Sequence, residues 1–527
     1  MKVLERAHWL PTGDELAPTT IVDQLQRHAT ASASALALIA FSTNDLDAVC
    51  RWTYEQLLDD ACAGASALLD LFQPGERIAI WAPNVAEWVQ AYLSAAVAGL
   101  QVVPLNPQFN PSEASDIVAD ASCAGILVVE QHRNRPLREM AESIKAESRQ
   151  VRHVVRLEDW RHMLATSTPR ELPVVAAHDI ALVQYTSGTT GRPKGAMLSH
   201  QSLAHASTRS GSRLGIRPGD VYVNPFPLFH VGGTVGAIGV CVAAGAALAP
   251  LPAFGADDMI RLLESAGATM TAGVPTVLQT LLPRLRSRPD LARQLRVVST
   301  AAAPVSAQLV EQYAEIGVAI SIAYGQTECP TICRTAPGDD AEQRATTVGQ
   351  PVDGLEVKIV EMATGMPVET GCVGELWVRG TSVMAGYLDR PADTADVLMA
   401  DGWLRTGDLG TMSPSGHCRI VGRHRELIIR GGENVYPREV EEVLATHPAI
   451  REVAVVGRPD DSYGERVVAV VAVEPGTSLD WEELEDFARE HLASFKVPRA
   501  WQEVPALPRN AAGKVEKFRL CAPEATT

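Results

Sequence analysis

"DIALVQYTSGTTGRPKG", residues 179–195, carries the decision about the fold. Its first six residues, 179–184, form the short, largely apolar run expected of a buried strand. The eleven that follow contain Thr186, Ser187, Thr189 and Thr190, three glycines and Lys194. Glycine lets consecutive backbone N–H groups converge on an anion, hydroxyls add neutral donors, and lysine adds a charge. The composition suits phosphate, although the spacing is not the G-x-x-x-x-G-K-[ST] of a P-loop. A strand ending in such a loop is how an open α/β sheet presents a ligand site at its edge. A surface connection without a ligand has the same composition, so the neighbouring segments decide between the two.

Outward from this loop, strand-like and helix-like runs alternate. "RIAIWAP" (77–83), "QVVPLNP" (101–107) and "GILVVE" (125–130) read as strands separated by helices at 84–99 and near 112–121. "LRVVST" (295–300) and "VAISIAYG" (318–325) repeat the pattern around another helix. Continuous apolar strands interleaved with helices predict parallel sheets covered on both faces. After about residue 350 the runs shorten and alternate, as in "LEVKIVE" (355–361) and "GELWVRG" (374–380), which predicts a mainly antiparallel β subdomain. Beyond "GRHRE" (422–426) come a helix opened by Pro437, strands "REVAVVGR" and "RVVAVVAVEP", and a helix at 480–492. That stretch, about 100 residues, is long enough for a core of its own. The expected class is α/β: a large N-terminal domain of parallel-rich sheets covered by helices plus a β subdomain (1–423), a hinge at 424–426, and a small α+β C-terminal domain (427–527).

The 46 basic and 63 acidic residues give a net charge of -17, which argues against a nucleic-acid partner because phosphate-backbone affinity comes from clustered Lys and Arg. Any nucleotide site on so acidic a chain must supply its own local positive field. Nine cysteines lie without pairing logic, and Cys329 with Cys333 lacks a second pair to complete a metal site. Reduced thiols in a cytoplasmic protein are therefore expected. Glu5 and Arg6 stand where a signal peptide needs an apolar run. Residues 231–252 carry no charge over a length that could span a bilayer, but Ala and Gly dominate them. A buried helix running into a strand is expected there, and no transmembrane segment.

Two further stretches bear on the loop. "AYGQTE" (323–328) ends an apolar strand with an aromatic face at Tyr324, a hydroxyl at Thr327 and a carboxylate at Glu328. Those three groups suit stacking on a base, bonding a phosphate and holding Mg²⁺. "GWLRTGDLG" (402–410) sets Asp408 between glycines, where a carboxylate either accepts two ribose hydroxyls or serves as a turn residue.

Taken in order, "YTSGTTGRPKG", "PLFHVGG" (227–233), "YGQTE", "GWLRTGDLG", "GRHRELIIRGGENVYPREVEEVL" (422–444) and "LPRNAAGKVEKFRL" (507–520) closely resemble the adenylate-forming superfamily, in particular the AMP-forming acyl-CoA synthetases. The likeness runs from about residue 50 to 520. It implies an ATP-dependent acid–thiol ligase that makes an acyl-adenylate and pyrophosphate, then passes the acyl group to CoA. The alternative acceptor is the phosphopantetheine thiol of an acyl carrier protein. By this resemblance Thr186, Ser187, Gly188, Thr189, Thr190 and Lys194 cradle the β- and γ-phosphates, and Thr186 and Glu328 sit at Mg²⁺. Thr327 contacts the α-phosphate, Tyr324 the adenine with Ala303 and Gly325 beside it, Asp408 the ribose, and Arg423 the ribose or phosphate. Lys514 matches the lysine that bridges carboxylate and ATP oxygens. Gly431, Gly432 and Glu433 match a loop that replaces that lysine when the mobile C-terminal domain rotates about a hinge at Arg425, opening a path for CoA. Small-molecule acid, ATP and CoA are the implied partners, and a homodimer is compatible with the resemblance.

The resemblance puts His230 at the mouth of the acyl pocket. Gly232, Gly233, Gly236 and Gly239 recur at helical spacing and suit either open pocket volume or close helix packing. "AAAP" (301–304) and Ala323 replace the glycines more usual in relatives. Their methyls, with Ala302 and Gly325 in the pocket wall, should narrow it against a long straight tail. No carboxylate in the 227–233 region is placed to pair an α-ammonium, so an apolar fatty or aryl acid is expected rather than an amino acid.

Overall fold

A computed structural model describes residues 3–42, 45–186, 193–301, 305–430, 433–460, 463–473, 480–509 and 515–521. The chain divides into two compact units, one of Trp9–Val357 with Val378–Leu404, the other of Met1–His8, Lys358–Trp377 and Arg405–Thr527.

The larger unit holds two sheets. In the first, seven strands follow the order Gly386–Tyr387, Lys194–Ser199, Ile180–Thr186, Gln101–Leu105, Arg77–Trp81, Gly125–Val128 and His153–Arg156. From Ile180–Thr186 onward the neighbours are parallel. Among the first three strands each neighbouring pair is antiparallel. The sheet is parallel-rich as expected, and its antiparallel edge has a geometric reason: the connection between Thr186 and Lys194 is too short for the crossover that a parallel neighbour requires. The covering helices start on capping boxes, Thr53 with Gln56 before Tyr54–Leu69 and Asn110 with Glu113 before Pro111–Asp120.

The second sheet has nine strands, in the order Gln350–Pro351, Cys329–Arg334, Ala319–Gln326, Val297–Thr300, Met270–Ala272, Val221–Asn224, Ala247–Pro250, Leu36–Ser42 and Asp45–Thr53. Side chains alternate between its faces. Val221, Val223, Val298, Ile320 and Ile322 pack into one apolar core with Met259, Leu263, Leu278, Leu282 and Val310 from three covering helices. Their alternates Tyr222, Ser299 and Ser321 are also buried, on the opposite face.

Residues 231–252 run as expected from helix into strand. The helix covers Val231–Ala244, widened by one residue per turn over Thr234–Gly239, and stops at Gly245, whose φ of 71° terminates it before Ala247–Pro250. Among the described residues no helix is long and apolar enough to cross a membrane. The four glycines serve different ends. A Cβ on Gly233 would lie 2.2 Å from the Pro227 carbonyl oxygen, and one on Gly239 2.1 Å from Ser207 Oγ, so these two permit close packing. A Cβ on Gly232 or Gly236 would make only ordinary contacts, at 3.9 and 3.8 Å.

The other unit contains a five-stranded sheet ordered His8–Trp9, Glu356–Val360, Gly374–Arg379, Leu404–Met412 and Cys418–Arg423. It also contains a smaller sheet of Glu433–Val435, Ile428–Arg430, Gly464–Val473 and Ile450–Asp460, to which Ala500–Glu503 adds in parallel. One face of the smaller sheet packs Val455, Val467 and Val471 against Val440, Leu444 and Leu484 of its two helices. The other is closed by Leu507 and Leu520 from the C-terminal tail.

Gly233→Ala is expected to destabilise the fold by about 1–3 kcal/mol, the usual cost of overpacking against backbone, whereas Gly236→Ala should melt like the parent. Thermal unfolding of the two variants side by side checks this; equal melting temperatures would show that the turn at Pro227 yields freely.

Candidate active site

The hairpin places Thr186 and Lys194 opposite each other as ladder partners. Lys194 Nζ pairs with Asp393 Oδ1 at 2.5 Å and lies 5.5 Å from the centre of the Tyr387 ring. The Tyr387 hydroxyl donates to Glu328 Oε1 at 2.5 Å. Burial, reinforced by the Glu328 charge, raises the Tyr387 phenol above its ordinary range and keeps its proton in place as the donor. Glu328 Oε2 forms no hydrogen bond or ion pair with the described residues, and Thr186 shares no hydrogen bond with Glu328. A cation and a carboxylate from distant parts of the sequence are thus held together through two residues, Tyr387 and Asp393, that the motifs do not flag. The segment around them is fixed by backbone: Met384 N donates to Glu328 O at 2.8 Å, Ala385 N to Met197 O at 2.9 Å and Leu388 N to Gly195 O at 2.8 Å.

Thr327 and Glu328 form the turn between Ala319–Gln326 and Cys329–Arg334. In that ladder Tyr324 pairs with Cys333 and Ala323 with Arg334. Gly325 is required by contact, since a Cβ there would sit 2.4 Å from the Pro330 carbonyl oxygen. Ser187, Gly188, Thr189, Thr190, Ala302 and Ala303 lie outside the described residues.

In the other unit Asp408 is no mere turn residue. It is buried on the Leu404–Met412 strand, directly across from Arg423, and the two pair at 3.1 Å. Glu375, another side chain without a sequence signal, accepts from Gly407 N at 3.2 Å and Trp377 Nε1 at 2.8 Å and so shapes the approach to Asp408. Arg425 occupies a single turn, His424–Glu426, between Cys418–Arg423 and Ile428–Arg430. Glu433 is exposed and pairs in register with Arg430. Gly431, Gly432 and Lys514 lie outside the described residues.

His230 caps the helix that begins at Val231, with its ring against Phe229 at a centroid distance of 4.8 Å. Its Nε2 is enclosed without a partner, and burial lowers its pKa to about 4. Burial thus keeps the ring neutral at physiological pH. The sequence offered no route to Tyr387 and Asp393; in "GYLDRPADT" (386–394) only the Pro391 helix start is conspicuous.

Comparison with known proteins gives a consistent picture. The profile of the AMP-binding enzyme family matches residues 25–388, and that of the AMP-binding enzyme C-terminal domain residues 439–514. A 3-[(3aS,4S,7aS)-7a-methyl-1,5-dioxo-octahydro-1H-inden-4-yl]propanoyl:CoA ligase of Mycobacterium tuberculosis is 37% identical over 89% of this chain and 93% of its own. The mitochondrial medium-chain acyl-CoA ligase ACSF2 of Homo sapiens is 31% identical over 89% of this chain and 82% of its own. Among solved structures, ATP-bound MatB from Rhodopseudomonas palustris superposes with a TM-score of 0.87 at 29% identity, covering 95% of this chain and 98% of that one. The o-succinylbenzoate CoA synthetase MenE from Bacillus subtilis, with its acyl-adenylate intermediate, gives 0.84 at 27% identity, covering 96% and 99%.

His200 is held at about 4 as well, again by burial. An imidazole that folds only when neutral contributes stability above its unfolded pKa of about 6.5, and that contribution is lost as pH falls toward 4. The expected result is an apparent melting temperature that drops between those pH values, with the His230 imidazole showing no NMR titration above pH 5. A His230 midpoint near 6.5 would contradict the enclosure of Nε2.

Proposed function

This chain belongs to the AMP-binding enzyme family, in its acyl-CoA ligase branch, and on that premise we propose how its residues divide the work of joining a carboxylic acid to CoA. The enzyme is an ATP-dependent acid–CoA ligase. A carboxylate is a poor electrophile because oxide is its leaving group. Attack of the carboxylate on the α-phosphorus of ATP forms the acyl–phosphate bond and expels pyrophosphate. Thiol attack on the resulting acyl-adenylate then expels AMP. The first step is an in-line displacement, so positioning and charge neutralisation dominate it.

The observation that carries the assignment is the Lys194–Asp393 and Tyr387–Glu328 pairing beside the 186–194 hairpin loop. Lys194, with Thr186, Ser187, Gly188, Thr189 and Thr190, holds the departing pyrophosphate; on binding, Lys194 exchanges Asp393 for phosphate oxygens. Among the described residues no group of three or more His, Cys, Asp or Glu is placed to form a metal cage. Mg²⁺ fits nonetheless, because it is commonly held by one or two carboxylates together with substrate phosphates, and Glu328 Oε2 and the Thr186 hydroxyl are hard oxygen donors. When bound, Mg²⁺ offsets the negative charge of the phosphates. Thr327 orients the α-phosphate, Tyr324 stacks on adenine beside Ala303 and Gly325, Asp408 accepts the ribose hydroxyls, and Arg423 steers Asp408. Lys514 bridges the acid and the α-phosphate.

The C-terminal domain (427–527) turns about Arg425 in the 424–426 hinge relative to residues 1–423, after which Gly431, Gly432 and Glu433 line the path of CoA. His230, Gly232, Ala323, Gly325 and Ala302 border the acid, and Gly233 is a packing residue. The acid is a compact one with an apolar fatty or aryl body, which fits the methyl of Ala323 and relatives that act on medium-chain and bicyclic acids. Nine free cysteines support a reducing, cytoplasmic location.

The test is ATP–pyrophosphate exchange over a panel of acids, followed by thioester formation with CoA as sole acceptor. Lys514→Ala is expected to lose about 10²–10³ in exchange rate while still converting supplied acyl-adenylate to thioester; equal loss in both steps would contradict domain rotation. Tyr387→Phe removes the proton donor to Glu328 and is expected to raise the Mg²⁺ concentration needed for half-maximal exchange about 10- to 100-fold. An unchanged Mg²⁺ dependence would remove Glu328 from the metal.

A further inference from the structure

One buried charge lies outside the machinery described so far. Arg334 ends the Cys329–Arg334 strand with a relative exposure of 3%. Its Nη1 donates to Ser299 Oγ at 3.1 Å and Ser321 Oγ at 3.2 Å. Both hydroxyls are themselves buried, and Ser321 spends its own proton on the Thr335 carbonyl at 2.6 Å. Nε is enclosed without a hydrogen-bond partner. Among the described residues no carboxylate pairs with the guanidinium, and the ionisable group acting on it is the Tyr222 phenol. Burial lowers its pKa only to about 10, so it stays charged at neutral pH. Removing a cation from water without a counter-ion is among the most expensive arrangements a fold can hold. The nearby Arg213 shows the usual solution, with Gln350 Oε1 at 2.8 Å and Asp339 at 4.0 Å.

The position of Arg334 explains the vacancy. It is the direct cross-strand partner of Ala323, and side chains paired in this way share a face of the sheet. Along that face of Ala319–Gln326, Ala323 is half-buried and Ser321 wholly buried, and a register shift between Tyr324 and Gln326 ends the alternation before the turn. The face therefore deepens from Ala323 to Ser321, where the Ser299–Ser321–Arg334 group lies. The residues between, Val298, Ile320 and Ile322, point away into the apolar core. With Nη1 occupied, Nε is left without a hydrogen-bond partner, and the guanidinium keeps donor capacity for a carboxylate or carbonyl oxygen.

We propose that Arg334 is a specificity-determining residue that receives a second oxygen acceptor, a carboxylate or ketone, carried at the far end of the acid whose first carboxylate is activated. This deepens the ligase reading and rests on it. The favoured substrates are acids with an apolar body between two oxygen functions; a plain alkyl or aryl acid of the same length leaves the guanidinium desolvated and unpaired. Sites built to bond a substrate oxygen discriminate strongly against the analogue that lacks it.

The experiment compares, in ATP–pyrophosphate exchange, unsubstituted monocarboxylic acids with their ω-carboxy and ω-oxo counterparts of equal length. The parent enzyme is expected to favour one substituted series by roughly 10- to 100-fold in kcat/KM, the range of a charge-assisted hydrogen bond, and the better series identifies the acceptor. Arg334→Met should erase that preference, mainly through KM of the substituted acid, while exchange with plain acids persists. Arg334→Lys should restore part of it. Flat selectivity in the parent enzyme, or a preference for plain acids, overturns the assignment of Arg334 and leaves the ligase reading intact, with no dependence on whether Arg334→Met folds. Loss of all acids alike in Arg334→Met and Arg334→Lys would make Arg334 a structural residue and also overturn it. Absence of exchange with every acid would sink the ligase reading and this inference with it.

Discussion

The site depends on a short run of backbone hydrogen bonds between residues 384 and 388 and two segments far away in sequence. Amides 384, 385 and 388 reach the carbonyls of Glu328, Met197 and Gly195, so one extended strip is bonded to the turn carrying Glu328 and to the strand carrying Lys194. Backbone bonds fix position to within tenths of an ångström, which flexible side chains do not. Gly386 makes the approach possible: with φ of 141° and Thr394 3.0 Å from where a Cβ would be, it accepts a conformation few other residues tolerate. Tyr387 follows directly, and its ring and hydroxyl meet Lys194 and Glu328 together.

Chemistry explains why tyrosine stands between them. On a chain of net charge -17, a lone carboxylate would attract a cationic side chain, and a bound lysine or arginine would cancel the charge a metal needs. A phenol donates a hydrogen bond without neutralising its acceptor. Glu328 is thus oriented through Oε1 while Oε2 stays available, and the positive side chain nearby, Lys194, is engaged by Asp393. That ion pair is partly exposed, its side chains at 20% and 34%, so Asp393 positions Lys194 without sealing it from solvent.

Much of this architecture is legible in the sequence because it rests on local chemistry. Strand–helix alternation, the caps at Thr53 and Asn110, and the glycine- and hydroxyl-rich loop all announce themselves within a few residues. The antiparallel return at Lys194–Ser199 does not, since "KGAMLS" is short and lacks β-branched residues; its strand character comes from its neighbours. Tyr387 and Glu328 are 59 residues apart, Lys194 and Asp393 199, and nothing in either segment codes for the other. The glycines at 232, 233, 236 and 239 look alike in sequence and separate only when the Pro227 turn and Ser207 come within reach of two of them. Arg334 did leave a trace: a charged residue inside the otherwise uncharged run "CPTICRTAP".

That trace bears on how one sheet serves two purposes. Successive residues of Ala319–Gln326 face opposite ways, so Ile320 and Ile322 can be selected for packing and Ser321 and Ala323 for what they present to a ligand, with little conflict between the two demands. Volume changes on the first face are transmitted through Leu278, Val310 and Tyr313 and register as stability. On the proposed role of Arg334, changes on the second face register instead as preference among substrates. A charged residue is tolerable at that depth only because the opposite face supplies the apolar burial that holds the strand in place. On that proposed role of Arg334, selectivity among acids is carried by the alternation of the strand itself, and an altered acid range can be reached without disturbing either the 384–388 strip or the hairpin it secures.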